Sequence, residues 1–362
     1  MDSQIIAFYL PQFHPTPHND LWWGKGFTEW TNVGKAKPLY PGHYQPKVPA
    51  DLGYYDLRLP EVRQEQAKLA QKAGVTGFCY YHYWFENGFE ELDKPFKEVV
   101  NSGEPKFPFC LCWANESWYS KFWNKDGTSS KKILAEQKYL GNEDHIKHFY
   151  SLLKAFKDSR YIKIDGKLLF LIYQPLSFVD FGAFKKIWND LAILNGLPGF
   201  YFVGQTTDMS KISAIFQLGF DGVNHCHRLD NIFQYNNKMT LGMRFFNLCR
   251  KIFRFPFVIP YKYAIKHSVF SVDFQENVFP TMMPNWDHTP RSGAGGTVLH
   301  NSTPELFEKH AELVLSTLND KKNKVVFLKS WNEWGEGNYM EPDLKYGNGY
   351  INALQNAINK LK

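Results

Sequence analysis

The chain has 362 residues, 44% of them hydrophobic and 22% charged, with a net charge of +6. That balance excludes a disordered chain, and no apolar run approaches the ~20 residues of a membrane-spanning helix. The 17% aromatic content, with 11 Trp, 20 Tyr and 31 Phe, is unusual, and a core alone could absorb the Phe. The Trp and Tyr residues cluster with Asn, His, Asp and Glu, as in a polar, ring-lined cleft.

Residues 4–10 read as a first strand, too short for the apolar core of a signal peptide and without a basic leader. Pro60 to Ala73 reads as a helix with Pro near its start, Gly77 to Tyr81 as a strand and Leu92 to Asn101 as a helix. Phe107 to Trp113 is a strand, followed by a long aromatic loop and a helix over about 142–157. Strand and helix then alternate: Leu168 to Tyr173 and Phe181 to Asn195, Phe200 to Val203 and Met209 to Leu218. A short strand over Phe220 to His225 precedes a basic insertion. Thr281 to Asn285 is a weakly patterned seventh strand, followed by a helix over Pro304 to Asn319 with a Ser/Thr cap. Residues 325–331 form the last strand and Gly349 to Leu361 the closing helix. About eight βα units predict a (β/α)8 TIM barrel, a single catalytic domain over 1–362 with long βα loops and an insertion at about 228–275.

Five cysteines (Cys79, Cys110, Cys112, Cys226, Cys249) are odd in number and have no framework or zinc spacing. They read as core thiols of a protein in a reducing compartment, which with the missing leader predicts a cytoplasmic chain. Residues 243–266 carry Arg244, Arg250, Lys251, Arg254, Lys262 and Lys266 among Phe, Leu and Ile, with no acidic residue. Such a segment can dock on an anionic membrane, here the inner face of the cell membrane, or pack on the body with its cations outward. No nucleic-acid motif accompanies it, so nucleic acid is not an expected partner.

A barrel places its active site at the C-terminal ends of the strands, and the unusual residues fall there. The first strand ends in Tyr9, Gln12 and His14, the second in Tyr81, His82 and Trp84, and the third in Trp113, Asn115 and Glu116. Tyr173 ends the fourth, Gln205 the fifth, and Asn224, His225 and His227 the sixth. Trp286, Asp287 and Arg291 end the seventh. Trp331, Asn332, Glu333, Trp334 and Glu336 follow the eighth. Indole faces stack on pyranose C–H faces, and two carboxyls can supply acid, base or nucleophile at a glycosidic bond. Glu333 and Glu336 share one short loop, which suits a retaining mechanism. Glu116 is a third acid/base candidate, and Asp287 and His82 are candidate hydroxyl binders. No DxD spacing supports a metal centre, and no GxGxxG, P-loop or GxSxG element calls for a cofactor. Gly293 to Gly296 reads as a turn that could seat a phosphate.

Several motifs carry a resemblance: Tyr9-Leu10-Pro11-Gln12-Phe13-His14, Trp22 to Trp30, His43-Tyr44-Gln45-Pro46, Tyr80 to Trp84, Trp113 to Glu116, Trp286-Asp287 with Arg291, and Trp331 to Glu336 with Glu341-Pro342-Asp343. Over nearly the whole chain the sequence resembles the WbsX-type family, named as glycosyltransferases of bacterial O-antigen and capsule clusters. It is also similar to the family-99 endo-α-mannosidases. The resemblance adds Trp23, Glu29 and Trp30 to the candidate substrate contacts. It implies that Glu333 assists attack by the substrate's 2-hydroxyl through a 1,2-anhydro sugar, and that Glu336 is acid and then base. Gly335 departs from the hydrolases, which have a bulkier residue there. The expectation is a retaining glycosyltransferase acting on an oligo- or polysaccharide, free or lipid-linked. An endo-acting hydrolase is the alternative, and a catalytically inactive carbohydrate-binding barrel the second.

Overall fold

The computed structural model describes residues 3–86, 88–123, 129–226, 245, 248–250, 253 and 255–361, with the side chains of 120–123 and 129–131 outside the description. The frame is eight strands: β1 (Gln4–Tyr9), β2 (Gly77–Trp84), β3 (Phe109–Trp113), β4 (Lys167–Ile172), β5 (Phe200–Thr206), β6 (Gly222–His225), β7 (Val278–Met282) and β8 (Val325–Leu328). Each pairs in parallel with its neighbour in chain order. β8 returns to β1, with Gln4 opposite Val325 and Ala7 opposite Leu328, and this closes the barrel. The strands read as near-continuous apolar runs because both faces are buried, one in the barrel and one under the helices.

The helical layer is α1 (Pro60–Ala73), α2 (Lys94–Ser102), α3 (Asn142–Phe156), α4 (Phe181–Leu194), α5 (Ile212–Gln217), α6 (Tyr261–Ile265), α7 (Pro304–Ser316) and α8 (Gly349–Lys360). The expected cap of α7 is Thr303, whose hydroxyl accepts from the Leu306 amide. Among the described residues no helix is long and apolar enough to cross a membrane. Cys79, Cys110, Cys112 and Cys226 are buried free thiols.

Three expectations change. The seventh strand is Val278–Met282 rather than 281–285; Pro280 lies inside it and hides the pattern. The aromatic loop after β3 contains an antiparallel hairpin, Trp118–Trp123 against Ser129–Ala135. The helix expected from Met209 opens as a 3-10 turn over Met209–Lys211, because the Asp208 carboxylate captures the Ser210 amide. Residues 227–244, 246–247, 251–252 and 254 lie outside the described residues, and with them His227 and much of the basic insertion. Its described end forms a two-stranded ribbon, Phe257–Pro260 with Thr297–His300, and then α6.

Candidate active site

The segment after β8 is pinned on three sides. Trp331 N–H donates to Phe8 O at 2.8 Å, extending the β8–β1 ladder by one bond. Asn332 clasps the backbone of Leu10: its Oδ1 accepts from the Leu10 amide at 2.8 Å and its Nδ2 donates to the Leu10 carbonyl at 3.0 Å. Ser330 Oγ accepts from the amides of Asn332 and Glu333. The chain then folds back, Asn332–Glu333 pairing with Asn338–Tyr339 across a turn in which Gly337 has a φ of 53°. Trp334 stacks on Tyr339 at 3.7 Å between ring centres and donates from Nε1 to Glu341 at 2.6 Å.

This places Glu333 and Glu336 on one guanidinium. Arg291 donates to Glu333 Oε1 from one terminal nitrogen and to Glu336 Oε1 from the other, each at 2.6 Å. Its Nε donates to Glu29 at 3.1 Å. Glu29 is 3% exposed and is held by its own amide, which donates to Gln12 O. A Cβ at position 335 would overlap Glu29 Oε2 and come within 3.1 Å of Arg291 Nε. Glycine is therefore required here by the Glu29 carboxylate, which fills the space of a side chain.

The two carboxyls have different electrostatic surroundings. Burial lifts Glu333 to about 7, with Glu336 and Glu29 adding to the rise and Arg291 opposing it. Burial opposes the charge of Glu336 too, but Arg291 and His288 outweigh it and hold Glu336 down to about 2. His288 Nε2 lies 3.4 Å from Glu336. Of the two, Glu333 is thus the one whose surroundings favour a proton and Glu336 the one whose surroundings favour charge. Burial also raises Glu116.

Three spaces with shared lining residues lie over and beside the pair. Immediately above it is a pocket of about 200 Å³ whose walls include Gln12, Glu29, Tyr81, Glu116, Tyr173 and Arg291. On the β1–β3 side is a cleft of about 800 Å³ with Trp23, Asn115, Trp118 and Tyr139 on its walls. On the β4–β7 side lies a cavity of about 600 Å³ walled by Gln205, Trp286, His288 and Lys329, among others. Asn115 is fixed by Gln174, donating to its carbonyl at 3.0 Å and accepting from its amide at 2.7 Å.

Other expected contacts are corrected, those on the strands because alternate residues face outward. Phe8 points into the barrel and stacks on Tyr81, so Tyr9 points out and donates to Gln66 of α1. His82 lies within hydrogen-bond distance of His148 of α3, and Trp84 stacks on the same His148. Trp113 is buried against Phe184 of α4 and donates to Trp84 O. Trp331 is 0% exposed and packs on Phe78. Trp30 donates to Tyr55 O and packs on Trp334, and His14 is turned back onto Pro11 O. None of these, nor Asn332 or Trp334, lines the three spaces. Asp287 is not a hydroxyl binder at this mouth. It is 2% exposed, its carboxylate engages His43, Gln45 and Thr289, and its amide donates to Glu336 O at 2.7 Å. Its place is behind Glu336, holding the turn. The sequence reading passed over Lys329 and His288. Lys329 could have been found by counting two residues on from the inward-facing Phe327 of β8.

A closed parallel barrel with carboxylates, rings and amides at its C-terminal mouth is a frame that carbohydrate-active enzymes use. The chain belongs to one such group, the WbsX glycosyltransferase family, whose model matches residues 5–354. Two relatives, both named uncharacterized protein WxcX and both from Xanthomonas campestris pv. campestris, are 30% identical (strain B100) and 31% identical (strain ATCC 33913) over 99% of this chain. The chain spans 50% of the length of each. Among solved structures the fold is similar to a GH99 endo-alpha-mannosidase from Bacteroides thetaiotaomicron, with a TM-score of 0.56 and 14% identity over 99% of this chain and 98% of that one. It is also similar to a glycoside hydrolase-like protein, with a TM-score of 0.59 and 15% identity over 98% and 94% of the two chains.

Proposed function

We propose that this chain is a retaining glycosyltransferase that acts in building a bacterial surface polysaccharide, with Glu333 and Glu336 as its acid/base pair. The observation that carries the reading is the two carboxyls on one guanidinium at the barrel mouth, in surroundings that favour a proton on one and charge on the other. Glu333 takes the proton of the donor's 2-hydroxyl as that oxygen closes on the anomeric carbon and expels the leaving oxygen, which Glu336 protonates. The acceptor hydroxyl then opens the 1,2-anhydro sugar, losing its proton to Glu336 while Glu333 returns one to the 2-oxygen. Burial favours a proton on Glu333 and Arg291 favours charge on Glu336, opposite to these roles. Catalysis therefore needs Glu333 ionised and Glu336 freed from Arg291, so that the substrate must loosen the Arg291–Glu336 contact as it enters.

Hydrolysis uses the same atoms, with water in place of the acceptor, and the likeness of the barrel to an endo-alpha-mannosidase favours it as the second reading. Mass spectrometry of the protein incubated with lipid-linked and free glycans, with and without sugar donors, separates the two. Donor-dependent chain growth lost in Glu336→Gln is the expected result, and donor-independent shortening would make the chain a hydrolase.

We also propose contact with an anionic membrane through 243–266. Phe245, Leu248 and Phe253 are 69%, 62% and 63% exposed, on a segment that also carries Arg250, Lys262 and Lys266. Charge reversal at Arg250, Lys251 and Arg254 should release the protein from phosphatidylserine liposomes. A wild type that does not bind them removes the idea.

A further inference from the structure

The two arms of the mouth differ in charge. The 800 Å³ cleft is walled by rings and amides, with Glu116 as its single charged group. The 600 Å³ cavity is walled by Lys211, Lys329 and His288 with the hydroxyls of Thr206, Thr207 and Ser292, and its one acid is Glu336 at the edge. Rings and amides suit an uncharged sugar. Two ammonium groups facing a single carboxylate suit an oxyanion.

Lys329 is the centre of this arm. Its amide still donates to Met282 O at 2.8 Å, so it continues β8 and, two residues on from Phe327, faces the barrel axis. It lines both the 600 Å³ cavity and the pocket over the carboxylate pair. Burial works against its charge, but Cys226, Tyr173 and the two carboxylates raise its pKa above the ordinary lysine value, so it is an ammonium. Arg291 is tied to three carboxylates. Lys329, by contrast, has no hydrogen-bond or ion-pair partner for its ammonium among the described residues, and neither has Lys211. A cation at the floor of a cleft whose neighbours leave its donors unused is a receptor for something that enters.

We propose that the β4–β7 arm binds an oxyanion group of the substrate, a phosphate or a sugar carboxylate adjoining the bond at the Glu pair, with Lys329 as its counter-ion. The proposal rests on the glycosidic reading for the rest of the substrate, but the anion site can be tested without turnover. Isothermal titration calorimetry at fixed ionic strength uses inorganic pyrophosphate, D-glucuronate and the uncharged methyl glucoside as probes. Wild type should bind one of the two anions. Lys329→Gln should weaken that binding at least about tenfold, and Lys329→Arg should keep most of it. Glu336→Gln, which removes the arm's one negative charge, should tighten it. Preference for pyrophosphate marks a phosphate-linked sugar, and preference for glucuronate marks an acidic sugar. Lys211→Gln, at the exposed rim, gives a smaller loss and serves if Lys329→Gln does not fold. Binding of neither anion by wild type, or wild-type binding in both lysine variants, overturns the proposal. If Glu336→Gln is inactive while the titrations are blank, only the anion site falls. If Glu333→Gln and Glu336→Gln both turn over, the glycosidic mechanism falls whatever the titrations give.

Discussion

Gly335 shows how one atom can decide a site. The Glu29 carboxylate lies where a Cβ would be, and Arg291 depends on that carboxylate for one of its three ion pairs. Gly335→Ala should push Glu29 off the guanidinium and leave a half-buried cation short of a partner. We expect a loss of about 1–3 kcal/mol in urea unfolding, by overpacking and by the weakened pair, and at least about tenfold in turnover. Glu29→Ala in the same background should recover part of the unfolding loss, because the clash is then gone. Additive losses in that double-mutant cycle would show that the two positions do not meet. A Gly335→Ala protein with wild-type stability and turnover would remove the clash altogether.

Between elements, the side chains that join the first βα loop to the turn after β8 matter most. Asn332 is the direct link, replacing a missing rung of the sheet with its own amide at Leu10. Asn332→Ala leaves both backbone groups of Leu10 without that partner and should cost about 2–4 kcal/mol. It should also speed hydrogen exchange at the Leu10 amide and lower kcat more than it raises KM, since the Glu pair loses its footing. Unchanged exchange at Leu10 would show that the clasp is redundant. This level is also where the sequence was least legible. The βα alternation and the Glu pair stand out because apolar strands and flanking carboxylates are local patterns. That Trp84 and Trp113 face helices while Tyr81 and Tyr173 face the mouth depends on where each strand's alternation starts. A one-residue choice of phase reverses it. The tryptophans beside the Glu pair illustrate the same limit. Trp331 and Trp334 are adjacent to the chemistry in sequence, yet their rings serve the core, Trp334 through its bond to Glu341. Glu341 in turn accepts from Tyr55 and Gln66, residues nearly 300 positions away in the chain, which no local pattern announces.

Across the whole molecule, the carboxylates gathered under the mouth set stability and activity against each other. Burial raises Glu341 to about 7, as it does Glu333, although Trp334, Gln66 and Tyr55 donate to it. A carboxyl that folds with a raised pKa favours the native state most when protonated. Its contribution is complete below the ordinary value of 4.5 and is lost as pH rises through about 7. Each of the two can remove up to about 3 kcal/mol over that window. Glu336, depressed to about 2, acts in the other direction and lower down: its contribution is present above 4.5 and disappears as pH falls toward 2. The urea midpoint of the wild type should therefore decline between pH 5 and 8. Glu341→Gln, which cannot ionise, should make that decline shallower, and an equal or steeper decline would show that Glu341 is not its source. Over the same interval the proposed mechanism predicts that kcat/KM rises with a limb near 7, because in it Glu333 accepts a proton from the 2-hydroxyl and so acts ionised. If kcat/KM instead falls through pH 7, Glu333 is the acid and Glu336 the base, the order that their surroundings favour. In the expected case the enzyme is most active where its own buried carboxylates make it least stable. The pinned turn and the Asn332 clasp are then what keep the pair in place while both carboxyls are charged.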